Sequence, residues 1–299
     1  MSSPFRRLLA GGGPLLLDGG MGTALMANGL EPGTSPEAWN LTHPEVIRRI
    51  HRDYIEAGSR VILTNSFGGT RNRLALSGLG DQVTVLNESA AELARTEADR
   101  AFHTVAVAGS IGPTGELLEP LGTLTVATAM EAFAEQAEAL VEGGVDLIWI
   151  ETMSDLDEAI AAVDGVRSVC DLDITVTMSF GSHGHTMMGV SPARALETLC
   201  RLDLAAIGAN CGVGSADVEE AVAAMRAIDS DVVLIAKSNA GLPCVSDGEI
   251  LYPEGPNMMA ESAHRLRALG VKLIGACCGS TPRHLRAMAA ALGRVPSRS

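Results

Sequence analysis

The chain has 299 residues, enough for two small domains or one large α/β barrel. Its 22 Lys plus Arg against 36 Asp plus Glu give a formal charge of −14. That excludes a dedicated nucleic-acid binder and a peripheral binder of anionic membranes, because both need clustered cations. With 46% hydrophobic and 19% charged residues the chain can bury a sizeable core and is not a disordered polymer.

No apolar run approaches the roughly 18–20 residues of a membrane helix. The opening MSSPFRRLLAGGGPLLLDGG has short apolar runs closed at once by Asp18, which is not a signal-peptide pattern. Six cysteines in a chain of this length, without a secretion signal, read as free thiols in a reducing cytoplasm.

In chain order, eight short runs rich in Val, Ile and Leu read as strands: Leu15–Asp18, Arg60–Asn65, Thr104–Ser110, Asp146–Glu151, Ile174–Phe180, Ala205–Cys211, Val232–Ser238 and Lys272–Cys277. They alternate little, as expected of strands covered on both faces of a parallel sheet. Helical patterns lie between them. Val126–Val141 repeats Val126, Met130, Phe133, Ala137 and Leu140 at helical spacing, with Glu131, Glu135 and Glu138 off that stripe. Pro44 opens a helix carrying Ile47, Ile50 and Tyr54, while Ser191-Pro192 and Thr281-Pro282 pair an N-cap hydroxyl with proline at the first turn. Gly143-Gly144 and Gly270 mark helix ends.

No linker or charge block divides the chain, so residues 1–299 are expected to form one domain, a single (β/α)8 TIM barrel, with a doubly wound open sheet as the alternative. The barrel is favoured because polar residues gather at the strand ends: Asp18, Asn65, Ser110, Glu151, Ser179, Asn210 with Cys211, Ser238 with Asn239, and Cys277 with Cys278. A barrel brings these to one mouth, whereas an open sheet strings them along a line.

Three of the cysteines therefore converge. Cys211 ends the sixth predicted strand, and the vicinal pair Cys277-Cys278 ends the eighth. Three thiolates with one open position describe a reactive zinc site, while buried structural thiols remain the alternative on spacing alone. Adjacent residues on a regular strand face opposite ways, so the chain must turn there, and Gly275 and Gly279 are expected to permit it. Cys170, Cys200 and Cys244 lack this setting and read as packing residues. His183 and His185, in the loop GSHGHTMMG, read as polar loop residues.

Asp18-Gly19-Gly20-Met21-Gly22-Thr23 follows a strand, but Leu25 stands where the dinucleotide fingerprint needs glycine. Close backbone approach to a small substrate is the expected use of Gly19 and Gly20. Asp18 and Glu151 suit an amino group, or else a loop-closing hydrogen bond.

The segments LLLDGGMGTAL, TNSFGGTRNRL, GSIGPTGELLEPLG, DLIWIET, GANCGVG, KSNAGLP and IGACCGSTPRHL, in order from residue 15 to 285, resemble the homocysteine S-methyltransferase family. That family includes betaine–homocysteine methyltransferases, S-methylmethionine-dependent enzymes and the homocysteine-binding domain of cobalamin-dependent methionine synthases. The resemblance implies a (β/α)8 barrel with Zn2+ held by Cys211, Cys277 and Cys278. It also implies homocysteine contacts at Asp18 and Glu151, with Gly19, Gly20, Asn65 and Asn239 expected beside them. Asn239 is a candidate fourth metal ligand before substrate binds. Gly-Ala-Cys-Cys replaces the family's usual Gly-Gly-Cys-Cys, adding one methyl group at Ala276.

The implied chemistry is attack of a zinc-bound homocysteine thiolate on a methyl donor, giving methionine. A free thiol of pKa about 8.5 is otherwise mostly protonated at neutral pH. A betaine-like donor is favoured, and Trp39, Phe67 and Tyr252 are the aromatic candidates for a donor pocket, in a chain with only 3% aromatic residues.

The chain ends about 20 residues after Cys278, so a corrinoid donor is expected to come on a separate protein. Three readings follow: an enzyme using a small donor, a homocysteine-presenting module serving such a partner, and an unrelated barrel with a Schiff-base lysine, for which Lys237 is the one strand-end candidate. A homo-oligomer is compatible with all three.

Overall fold

Apolar runs without polar alternation need cover on both faces, and a ring of helices around a closed parallel sheet supplies it. The computed structural model describes residues 3–181, 183–246 and 249–293. It places a strand on each of the eight predicted runs, with β3 and β4 running one and two residues past their ends and β5 starting one residue early: β1 (Leu15–Leu16), β2 (Val61–Leu63), β3 (Ala106–Ile111), β4 (Leu147–Met153), β5 (Asp173–Met178), β6 (Ala206–Cys211), β7 (Leu234–Ser238) and, after a hairpin, β10 (Leu273–Ala276). These eight pair in the order β1-β10-β7-β6-β5-β4-β3-β2, every pair parallel. A parallel bridge from Leu17 to Val61 joins the two ends of that order. The sheet is thus a (β/α)8 barrel and not an open doubly wound sheet.

Alternate strand residues point inward. Leu15, Val61, Ala106, Leu147, Trp149, Ile235 and Leu273 form one buried cluster, which Phe5 joins. Phe5 lies on the N-terminal helix Pro4–Ala10, which Ser3 caps through the Arg6 N–H. A larger cluster fills the space between sheet and helices. The predicted caps operate: Ser191 accepts from the Arg194 N–H, and Thr281 and His284 form a reciprocal capping box.

One element was not foreseen. Residues in the seventh strand–helix connection form an antiparallel hairpin, β8 (Cys244–Ser246) with β9 (Glu249–Leu251). Cys244 is exposed on it and Cys200 is exposed at a helix end, so neither packs in the core as expected; Cys170 is half-buried against it. No helix among the described residues is long and apolar enough to cross a membrane.

Candidate active site at the barrel mouth

The cysteine cluster starts from how two strands end. β6 closes at Cys211, where φ turns to +63°, followed by Gly212 at +68°. β10 stops at Ala276, one residue before the pair, so Cys277 and Cys278 escape strand alternation. Gly279, at φ +79°, completes that turn; a Cβ there would stand 2.0 Å from Tyr252 Cγ. Gly275 does something other than the expected turn. It lies inside β10, where a Cβ would meet Leu17 Cβ at 2.5 Å, so its bareness serves strand packing. The pair is held by its backbone: Cys277 N–H donates to the Ser238 carbonyl at 2.7 Å, and Cys278 N–H to Asn239 Oδ1 at 3.1 Å.

The result is three half-buried sulfurs, all within 4.8 Å of one another, with Cys211 and Cys277 Sγ 3.8 Å apart. Sulfurs on a tetrahedral zinc, each about 2.3 Å from the ion, are about 3.8 Å apart, so the spacing fits. Asn239 Oδ1 is 3.4 Å from Cys211 Sγ, while its amide donates to the Gly212 carbonyl. Contact with its neighbours pushes the Cys211 thiol pKa up, and S–H donation from the other two pulls Cys278 down to about 3.

Beside the sulfurs lies a cavity of about 520 Å³, lined by Asp18, Gly19, Gly20, Glu151, Lys237 and the three cysteines, among others. Asp18 is 2% exposed with both oxygens engaged: Oδ1 accepts from Lys237 Nζ at 2.7 Å, and Oδ2 from the Leu63 N–H at 2.7 Å. Burial pushes the Asp18 carboxyl up against the pull of Lys237. Burial alone would pull the Lys237 ammonium down, but Asp18 and Glu151 outweigh it and hold it up. Lys237 thus has its ammonium engaged in a buried ion pair with Asp18, which speaks against the Schiff-base role of the unrelated-barrel reading.

Glu151 is less fully satisfied. Ser110 Oγ donates to Oε1 at 2.6 Å, and the Asn210 amide is 3.5 Å from Oε2. A register shift in β4 between Ile150 and Met153, with Thr152 at φ +63°, sets its direction. Asn210 holds that bulge, accepting from the Thr152 N–H at 2.9 Å and donating to its hydroxyl at 2.7 Å. Burial pushes Glu151 up to about 7, with Lys237 pulling against it.

Gly19 and Gly20 leave no room for side chains. A Cβ at Gly19 would meet Ser280 Oγ at 2.6 Å, and one at Gly20 the Cys277 carbonyl oxygen at 2.6 Å. Asn65 lines the cavity but spends its amide on the Pro36 carbonyl and Asn40 Oδ1.

The aromatic candidates separate. Phe67 lines the cavity with its ring over Gly112, where a Cβ would meet it at 2.5 Å. Trp39 stands behind the wall, 8% exposed and stacked on His43 at 4.2 Å. Tyr252 lies against Gly279 outside this lining; burial and the three nearby cysteines raise its phenol pKa. His183 and His185 line a second cavity, which meets the first only at Thr152. Arg73 is a wall residue that sequence reasoning missed, since nothing local marks it as part of a site, whereas Lys237, read from its strand end as a Schiff-base candidate, is instead the partner of Asp18.

Fold and site together define a (β/α)8 barrel with a three-thiol cluster in its mouth. A family model described as homocysteine S-methyltransferase matches residues 15–292. Methionine synthase from Mycobacterium leprae is 33% identical over 294 residues, and that from Mycobacterium tuberculosis 32% over 295. Each alignment covers 93% of this chain but only 24% of the relative, so the chain spans about a quarter of their length. The homocysteine methyltransferase MmuM from Escherichia coli superposes with TM-score 0.82 in its oxidized form and 0.81 in its metallated form. It is 26% identical in both, over 97% and 96% of this chain and 99% of MmuM. The chain belongs to the homocysteine S-methyltransferase family.

Proposed function

We propose that residues 1–299 form one homocysteine-binding barrel domain that transfers a methyl group from a small donor to homocysteine, yielding methionine. One observation carries this: three sulfurs at metal-ligand spacing share a cavity with a carboxylate, Glu151, that retains acceptor capacity.

Cys211, Cys277 and Cys278 would hold Zn2+, with Asn239 as the group nearest a fourth position. The bound ion would supply Lewis acidity that keeps the substrate thiol deprotonated at neutral pH. The protein's own residues do the rest. Glu151 receives the substrate ammonium, and Ser110 and Asn210 fix its carboxylate. Asp18, its charge balanced by Lys237 and its second oxygen held by the Leu63 N–H, shapes the same corner. Gly19 and Gly20 let the first loop lie against the cysteine segment. The homocysteine sulfur attacks the donor methyl carbon, and the donor leaves with the electron pair of the broken bond.

A betaine-like or S-methylmethionine-like donor is favoured, because Phe67 offers an aromatic face in the cavity. The similarity to methionine synthases supports a second reading, in which the chain presents homocysteine to a separate methyl-corrinoid protein. The test is a donor screen on the zinc-loaded chain. Methionine formed from a small onium donor supports the first reading, and methionine only after adding a methyl-corrinoid protein supports the second. No methionine with either overturns both.

A further inference from the structure

The cavity lining holds two cationic side chains. Lys237 is paired with Asp18, in the corner that also holds Glu151 and the three cysteines. The other lining cation is Arg73, on the short helix Arg71–Ala75 that follows the β2 loop. Around the ring, β2 and β6 are separated by three strands in either direction. Arg73 and Cys211 therefore enter the mouth from opposite sides.

Arg73 is half-buried, and its side chain lies along the bare face of Gly115, where a Cβ would stand 2.9 Å from Arg73 Cδ and 3.0 Å from its Nη1. Among the described residues its guanidinium makes no hydrogen bond and no ion pair. Glu37, on the same wall, takes Ser35 Oγ at 2.6 Å and the Gly68 N–H at 2.7 Å, and has no cationic partner among the described residues. Phe67, 36% exposed, stands between these loops and the cavity.

In-line transfer places the leaving atom on the far side of the methyl carbon from the attacking sulfur. The body of the donor then lies on the Arg73 side. A guanidinium on the cavity wall without a partner among the described residues repels a simple cation and calls for an anion, and its planar fork fits a carboxylate. We propose that Arg73 determines donor specificity by pairing with the carboxylate of an onium carboxylate, whose cationic methyl-bearing centre faces Glu37 and Phe67. This rests on the methyltransferase reading of the same cavity. As the sulfur–carbon bond forms, the bond from that carbon to the onium heteroatom breaks. The electron pair stays on the heteroatom, so a neutral thioether or tertiary amine leaves, still carrying its carboxylate.

The test uses the zinc-loaded full chain with saturating homocysteine. Glycine betaine, dimethylsulfoniopropionate and S-methylmethionine are each compared with their own carboxamide, by calorimetric Kd and by initial rate. At least one carboxylate should bind about 10- to 100-fold tighter than its carboxamide, the range of a hydrogen-bonded charge pair. Which arm shows the preference separates ammonium from sulfonium donors. Arg73→Met should abolish that ratio and Arg73→Lys should keep part of it, with zinc content and homocysteine KM unchanged.

Equal affinity for carboxylate and carboxamide in the wild type, no binding of any carboxylate, or an undiminished ratio in Arg73→Met would overturn the proposal. Methyl transfer without carboxylate preference sinks this inference alone. Carboxylate preference without methyl transfer supports the anion site and sinks the activity.

Discussion

The cysteine wall and the wall facing it are built differently. Cys211 ends a six-residue strand, and Cys277 is tied to Ser238 on the neighbouring strand. Asn239, 6% exposed, contacts Cys211 Sγ and the Cys278 N–H, and Asp18, Lys237 and Asn210 are buried in the barrel beside them. The opposite wall consists of connections after β2 and β3, where Phe67 and Arg73 rest on the bare backbones of Gly112 and Gly115. Strand ends tied into a sheet hold atoms to the tolerance a metal site needs, whereas loop side chains can change without disturbing the barrel. The difference suits the proposed arrangement, with the thiol acceptor held on one wall and the methyl donor on the other.

Alanine at Cys211, Cys277 or Cys278 tests the first wall most severely. Two sulfurs hold the ion poorly, so metal content and activity should vanish together, with rates at or below about one-thousandth of wild type. Full zinc retention in any of the three, read by metal analysis, would break the contrast at its base.

Asp18→Asn strands the Lys237 ammonium in a buried site. Loss of one partner from such a pair costs about 3–5 kcal/mol, so Tm should drop and homocysteine KM rise. Adding Lys237→Met should recover much of that Tm, and a double variant no more stable than Asp18→Asn would show that the pair is not the cause.

Glu151→Gln removes a charged acceptor with little change of shape. Homocysteine kcat/KM should fall about 10- to 100-fold with zinc content intact; wild-type kinetics would mean that the ammonium binds elsewhere. Glu151 titrates at about 7, so it is ionised above that pH and neutral below it. Homocysteine KM should therefore climb as pH falls below 7, by up to about tenfold per unit, and Glu151→Gln should lose that limb of the profile. The smallest effect is expected for Cys170→Ala, Cys200→Ala and Cys244→Ala, which lie outside the cluster and should leave metal and rate unchanged.

Much of this was legible in the residues themselves. The eight strands could be read because Val, Ile and Leu runs covered on both faces leave an unbroken apolar signature. The cysteine site could be read because Cys211 and Cys277-Cys278 close two of those runs. The hairpin β8–β9 was hidden, since short runs such as those around Cys244 and Leu251 carry no periodicity that separates strand from loop. Trp39 sits in a segment that could face either way, and its place in the buried core cluster, outside the cavity lining, shows which.

Order along the chain by itself determined the eight strand runs, the polar residues that end them and the three thiols among those ends, because local patterns of burial and strand termination encode them, while closure into a barrel with one mouth waited for the structure. The tertiary structure decided what those patterns leave open. A lysine at a strand end reads as a nucleophile until Asp18, 219 residues away, is found 2.7 Å from its ammonium. A carboxylate reads as a substrate contact until its lone pairs are counted, which leaves Glu151 the freer of the two acids. Such roles depend on which charges meet in a low-dielectric interior, and closure of the sheet is what brings them together.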